Sequence, residues 1–322
     1  MRRPPEHGDR EFDLIVLGEV NPDIVVADPD PVPHFGQQER IVDAITMTIG
    51  SSSAIAACGG ARLGLRVGMV GVVGDDPFGR FMLEALEERG IDTTACRIDP
   101  SEPTGATVIL ARSTDRAILT ALGTIAAATA ADVPDDLLAR ARHLHVGSYF
   151  LQDRLAREVP DLFRRAHEAG LTTSLDPNAD PRDAWDGGLD EALTGADLFF
   201  PNATEISAIG RRDDPVDAAW ALAERVQPTP GIVVKLGAAG AAAVVAGTEV
   251  ERCAGYAADP VDTVGAGDSF DAGFLAGWLD GRQMSESLRM GAICGALSTR
   301  STGGTAAQPT RDEVEVALRS WT

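Results

Sequence analysis

The sequence predicts an α/β protein: a central, mostly parallel sheet flanked by helices, with a small β-sheet lid. Three observations lead there. From about residue 133 onward, short apolar runs alternate with helix-length segments, the pattern of parallel strands joined by right-handed crossovers. Two hairpin-like stretches, roughly residues 20–49 and 104–122, break that alternation and read as the lid. Near the C-terminus, Gly265-Ala266-Gly267-Asp268 leads from an acid-bounded apolar stretch into a helix-like run over residues 270–279.

Taken in order, residues 12–18 (FDLIVLG) form a buried strand ending at Gly18. Residues 19–23 then offer polar groups at its C-terminal end, where open α/β sheets hold ligands. Residues 27–38, rich in Pro and Asp, read as loop, and residues 42–49 as strand. Gly50-Ser51-Ser52-Ser53 breaks that strand. Residues 54–63 form a helix of small side chains ending at Gly64, which implies close packing against backbone or ligand. Residues 67–73 read as one buried strand and residues 76–90 as an amphipathic helix closed by Gly90. Residues 104–110 and 117–120 form a hairpin around Ser113-Thr114-Asp115. Helices over residues 135–142, 155–169 and 217–226 then alternate with strands over 143–147, 172–175, 196–200 and 232–236. Residues 12–322 are therefore expected as one domain behind a loose, charged tail, residues 1–11. That tail has no apolar core and does not read as a signal peptide.

Of the 322 residues, 44% are apolar, enough for a packed core. Lys+Arg 28 against Asp+Glu 49 gives a net charge of −21, which disfavours nucleic acid and anionic membranes as partners. No apolar run is long enough to cross a bilayer. Cys58, Cys96, Cys253 and Cys294 are scattered with no CxxC pair, so buried free thiols in a reducing cytoplasm are expected. His143 and His145 share one strand face with no third ligand nearby and are expected to be structural.

Glycines let backbone N–H groups approach a ligand, and a helix N-terminus favours an anion. With Asp268 beside it, the Gly265–Gly267 turn suits phosphoryl transfer: donors stabilise the moving group while the carboxylate takes a proton from the attacking hydroxyl. An ordinary Gly-rich turn capping a helix is the alternative. The chain's single lysine, Lys235, follows Val234, so no Gly-Lys-Ser/Thr P-loop exists. Gly68, Gly71 and Gly74 do not make the dinucleotide fingerprint, and no GxSxG elbow is present. Polar groups at other strand ends read as one shared site: Asp176-Pro177-Asn178, Asn202 with Glu205, and Lys235-Leu236-Gly237 with Gly240. Asn202 and Glu205 also fit an N-cap and its capping-box partner.

These motifs together resemble the PfkB carbohydrate kinase family, also called the ribokinase family, over nearly the whole chain. The run from Asp262 through Val264, Gly265 and Asp268 to Phe270 is similar to its C-terminal signature, and residues 50–64 with 71–79 to its N-terminal one. Asn202-x-x-Glu205 matches its Asn-x-x-Glu element. The resemblance implies a ribokinase-like fold and an ATP-dependent sugar kinase that transfers the γ-phosphoryl group to a hydroxyl of a small carbohydrate. Asp268 would be the base, and the N–H groups of Gly265, Ala266, Gly267 and Asp268 the anion hole. Asn202 and Glu205 would support Mg²⁺ through water, and Lys235, Gly237 and Gly240 would lie along ATP. Asn21, Asp23, Gly50, Ser51 and Tyr149 would face the acceptor. Asp262 and the Val264 carbonyl match a monovalent-cation (K⁺) site, with residues 298–303 as its second half. The lid would exclude water and form a homodimer contact.

Three positions depart from the family pattern. Its usual Gly-Gly is Gly50-Ser51, its usual acceptor-side Asn is Ile55, and an Asn near the adenine is Ala292. Ile55 removes a hydrogen-bonding group from the acceptor side. A nucleoside kinase is the second reading, because Ile55 tolerates a flatter, less polar acceptor; Phe35, Tyr149 and Phe150 are the aromatic candidates for stacking it. A non-catalytic sugar-binding relative is the third.

Overall fold

A computed structural model describes residues 2–5, 8, 10–112, 115–245 and 250–321. The first strand, β1 (Leu14–Leu17), has no polar side chain and is buried throughout, as a strand covered by helices on both faces must be. The chain then leaves the main sheet. β2 (Pro22–Ala27) and β3 (Ala44–Ile49) pair antiparallel as the first half of the lid. Helix α1 (Ser52–Arg62) returns to the body, and β4 (Val67–Val70) lies parallel to β1. The single strand expected over residues 67–73 is in fact two. β5 (Val72–Gly74) turns away and, across helix α2 (Pro77–Glu87), pairs with β6 (Arg97–Asp99). The break falls at Gly71, where a Cβ would stand 2.6 Å from the Gly18 carbonyl oxygen.

β7 (Ala106–Arg112) and β8 (Asp115–Ala121) complete the lid in the order β3-β2-β7-β8. Ser113 and Thr114, expected at the turn, lie outside the described residues. The predicted alternation follows: α3 (Asp135–Ala139), β9 (His143–Val146), α4 (Asp153–Glu168), β10 (Thr172–Leu175), α5 (Leu189–Thr194), β11 (Leu198–Phe199), α6 (Ala203–Gly210), α7 (Pro215–Arg225) and β12 (Gly231–Lys235). β13 (Ala241–Val244) and β14 (Glu251–Cys253) add an antiparallel edge. Helices α8 (Ala266–Leu279), α9 (Met284–Ser298) and α10 (Arg311–Ser320) close the chain. Among the described residues the main sheet runs β14-β13-β12-β11-β10-β9-β1-β4, parallel from β12 to β4.

Alternate side chains of β1 enter opposite layers. Ile15 and Leu17 join Leu155, Phe163 and Ile206 on one face, while Leu14 and Val16 join Phe274, Met290 and Val314 on the other. The parallel strands therefore send all their C-terminal ends to one side, where loops gather polar groups.

His143 and His145 are buried and held by hydroxyls: His143 by Thr172 and Ser174, His145 by Ser174. Burial pushes their pKa values down, to about 3 and about 4. All four cysteines are free. Cys58 and Cys294 are buried as expected, but Cys96 and Cys253 are only half-buried. Described residues of the N-terminal tail make hydrogen bonds to the body. The Pro5 carbonyl accepts from Arg142, and Arg10 donates to the carbonyls of Ala139, Ala141 and Ala169. Among the described residues no helix is long and apolar enough to cross a membrane.

Candidate active site

A cleft of about 450 Å³ opens at the C-terminal ends of β10, β11 and β12, against the start of α8. Gly265 is the N-cap of α8 at φ +71, a left-handed value that costs glycine little. A Cβ there would stand 2.7 Å from Gly304 Cα and 2.9 Å from Ile55 Cγ2. No side chain caps this helix. Its first-turn residues Ala266, Gly267 and Asp268 line the cleft instead, so the donors that a cap would satisfy are available to an anion. The Ala266 N–H is partly spoken for, reaching the Thr263 carbonyl at 3.3 Å.

Asp268 sits among acids. Its carboxyl oxygens come within 4.8 Å of those of Asp176, after β10, and Asp271, one turn further along α8. Burial raises Asp268 to about 8; the Asp176 and Glu19 charges add to this, while Lys235 and a hydrogen bond with Ser52 oppose it. Burial also raises Asp271 well above the carboxylate range. Asp176 goes the other way: burial works against its charge, but Lys235 and a hydrogen bond from Asp271 overcome it. The Lys235 ammonium donates to Asp176 Oδ2 (2.5 Å) and Asp271 Oδ2 (3.0 Å). Lys235 lines the cleft with Gly237, Gly240 and Gly267, but its ammonium is turned to these acids. Its side chain, 11% exposed, is fixed in the cleft floor by two carboxylates.

Asn202 and Glu205 make the capping box that their spacing allows. Asn202 Oδ1 accepts from the Glu205 N–H (2.9 Å), and Glu205 Oε2 accepts from the Asn202 N–H (2.8 Å). Both also line the cleft. Burial and the nearby Asp176 charge, offset in part by Lys235, raise Glu205 to about 7. Each carboxylate oxygen retains a lone pair beyond its cap bond, an oxygen-only donor set that fits Mg²⁺ held through water.

Beyond Asp268, toward the lid, Asn21 and Asp23 are buried at the root of β2, with Gly50 packed against the Asp23 carboxyl. Burial and the Glu19 charge raise Asp23 to about 7. Ser51 caps α1, accepting from the Ala54 N–H at 3.0 Å, while its own backbone stands at φ +68. Glu19 was overlooked as a site residue, although it opens the polar run after β1. It accepts from Ser53 Oγ (2.7 Å) and Ser148 Oγ (2.6 Å), and Asn178 Nδ2 donates to Ser148 Oγ (2.9 Å). Ser52 and Asn178 carry this network into the cleft. Ile55 lies beneath the Gly265 turn, packed on Gly265 and Gly304 rather than lining the cleft.

Tyr149, expected to face the acceptor, does not line the cleft. It is 1% exposed, its hydroxyl donates to the Gly187 carbonyl (2.9 Å), and its ring meets Phe150 edge to face. It lines a separate cavity against α4. The left-handed turn at Ser148 (φ +52) directs it there. Gly237 and Gly240 line the cleft, whose far end is apolar: Tyr256, Pro260, Phe270, Ala292 and Ala296. Of these, the sequence singled out only Ala292 as part of the site. Asp262 accepts from the N–H groups of Val264 (3.0 Å) and Gly303 (2.9 Å), tying the loop before α8 to the one after α9.

A helix N-terminus open to an anion with a carboxyl in its first turn fits a phosphoryl-transfer site. The family profile described as pfkB family carbohydrate kinase matches residues 12–311, and the chain belongs to that family. It is 34% identical over 287 residues to a fructokinase from Klebsiella pneumoniae, covering 84% of this chain and 91% of the relative. It is 31% identical over 307 residues to the ATP-dependent ribose-1-phosphate kinase of Halopiger xanaduensis, covering 95% and 97%. Arabidopsis thaliana ribokinase, solved with ribose and ATP, shares the fold at a TM-score of 0.82 and 24% identity, covering 96% of this chain and 99% of that one.

Proposed function

We propose that this kinase phosphorylates a hydroxyl of a small, uncharged sugar, with Asp268 as the general base. The observation that carries the proposal is the uncapped start of α8, with Asp268 in its first turn at the junction of the polar and apolar ends of one cleft. Adenine fits the apolar end around Tyr256, Ala292 and Ala296. The triphosphate then runs past Gly237 and Gly240 to the N–H groups of Gly267 and Asp268, with Ala266 and Gly265 shaping the turn. The acceptor oxygen attacks the γ-phosphorus, the bond to the β,γ-bridging oxygen breaks, ADP leaves, and Asp268 receives the hydroxyl proton. Asn202 and Glu205 would hold Mg²⁺ through water, and the ion would neutralise charge on the phosphates. Asp262 and the Val264 carbonyl would hold a monovalent cation such as K⁺ beside the turn.

An uncharged acceptor follows from the charges. Asp23 and Asp268 would face that side with Glu19 behind them, Lys235 is committed to Asp176 and Asp271, and Arg116 of the lid, the cation that acts on Asp23, is outnumbered by these acids. Asn21, Asp23, Gly50 and Ser51 would face the acceptor, with Ser51 also capping α1. A nucleoside acceptor is disfavoured, because Tyr149 and Phe150 pack together away from the cleft and Phe35 is 96% exposed.

Residues 12–322 would act as one kinase domain, with segments 20–49 and 104–122 as its lid. The lid face turned away from Asp23 carries two apolar cross-strand rows: Met47, Ile24, Val108 and Leu119, then Ile45, Val26, Leu110 and Ala117. Ile45, Met47 and Leu119 are exposed. A face of this kind fits a second copy, giving a homodimer through the lid. The free thiols suit a reducing cytoplasm, and the net charge of −21 disfavours nucleic acid as a partner. The test is ATP turnover across pentoses, hexoses, sugar acids, sugar phosphates and nucleosides. Turnover confined to neutral sugars supports the proposal; a preference for an anionic sugar or a nucleoside contradicts it.

A further inference from the structure

Lys235, the only lysine in the chain, is surrounded by acids. It leaves the end of β12, and its ammonium bridges Asp176 Oδ2 (2.5 Å) and Asp271 Oδ2 (3.0 Å). Asp268 stands one turn before Asp271, with carboxyl oxygens of the three acids mutually within 4.8 Å. Other elements also face this group: Glu205 from α6, Glu19 from the loop after β1, His145 from β9 and Ser52 from α1. His145 is kept neutral by burial. Lys235 is thus the one cation among the described groups that face the cluster.

We propose that Lys235, clamped by Asp176 and Asp271, is the counter-ion that favours the ionised form of Asp268 as a base, and that it does not bind the nucleotide phosphates. The clamp fixes the charge before substrate arrives, so no reorganisation is needed when Asp268 must ionise. A cation this close to a half-buried carboxyl, in a medium of low dielectric constant, favours the ionised form. Asp271 Oδ1 is buried and receives no hydrogen bond. Burial keeps Asp271 protonated and hydrogen-bonded to Asp176, which leaves the lysine charge less divided. Lys235 is in this sense a positioning residue, acting on the chemistry through Asp268.

The inference rests on Asp268 being the base, and the experiment separates the two. kcat/KM for the sugar is measured against pH in the wild type, Lys235→Met, Asp176→Asn and Asp268→Asn. Lys235→Met is expected to move the acid limb up by about one pH unit or more and to recover most of its loss at high pH, with KM for ATP unchanged. Asp176→Asn is expected to move the limb down, because the ionised acid that shares the lysine and repels charge on Asp268 is gone. An acid limb that stays in place in both variants overturns the inference. So does a roughly tenfold rise in KM for ATP at every pH in Lys235→Met, which is the signature of a phosphate contact. If Lys235→Met does not fold, the direction of the Asp176→Asn shift decides alone. Activity retained in Asp268→Asn refutes the base assignment itself, whatever the limbs do.

Discussion

Replacing Gly265 by alanine probes the turn on which the site depends. The backbone there stands at φ +71, which costs a non-glycine residue about 1–2 kcal/mol. The new methyl would stand 2.7 Å from Gly304 Cα and 2.9 Å from Ile55 Cγ2. The first is backbone and cannot rotate away, so the turn or the 303–304 segment must move; overpacking of this kind costs about 1–3 kcal/mol. The expected loss of stability is thus about 2–5 kcal/mol, read as a lower urea midpoint at unchanged slope. The same movement displaces the first-turn N–H groups of α8. Losing one such donor costs about a hundred- to a thousandfold in kcat. Ile55→Ala removes the second clash, so the double variant should be more stable than the sum of the single losses by about 1 kcal/mol. A Gly265→Ala enzyme within about 0.5 kcal/mol of wild type, with unchanged kcat, would refute the reasoning.

Three further expectations follow. Tyr149→Phe loses one hydrogen bond to Gly187 and should cost about 1 kcal/mol of stability with no change in KM for the sugar; a tenfold KM rise would return Tyr149 to the acceptor site. Asp23 and Glu205 titrate near 7 and Asp268 near 8 in the fold, all above their unfolded values, so the folded state binds more protons there. Stability without nucleotide should therefore fall between about pH 6.5 and 8, above the range in which the buried histidines add the opposite slope; a melting temperature that rises across that window contradicts this. On the lid, Met47→Asp with Leu119→Asp should shift sedimentation from dimer to monomer, and an unchanged dimer would remove that face from the interface.

The sheet was legible because its strands are short apolar runs between helices with clear stops, and residues 172–175 match β10 residue for residue. The edge strands β13 and β14 were missed: Ala241–Val244 is alanine-rich, and Glu251–Cys253 is three residues long. The start of α8 was legible because glycines before a carboxylate have few other uses. Lys235 was read by sequence neighbourhood as a phosphate contact, whereas its actual partners come from β10 and α8, 59 and 36 residues away. Such long-range pairing leaves no local signal. Tyr149 failed for a related reason: the single left-handed turn at Ser148 decides on which side of the sheet the ring falls. The capping box at Asn202 and Glu205 shows that a structural and a functional use can share one spacing.

The most direct test of Asp268 as the base is kcat of Asp268→Asn with ATP and the preferred sugar, with ATP affinity measured in parallel. The structure predicts a fall in kcat of about a hundred- to ten-thousandfold, with ATP affinity within a few-fold of wild type. A variant that turns over within about tenfold of wild type would contradict it.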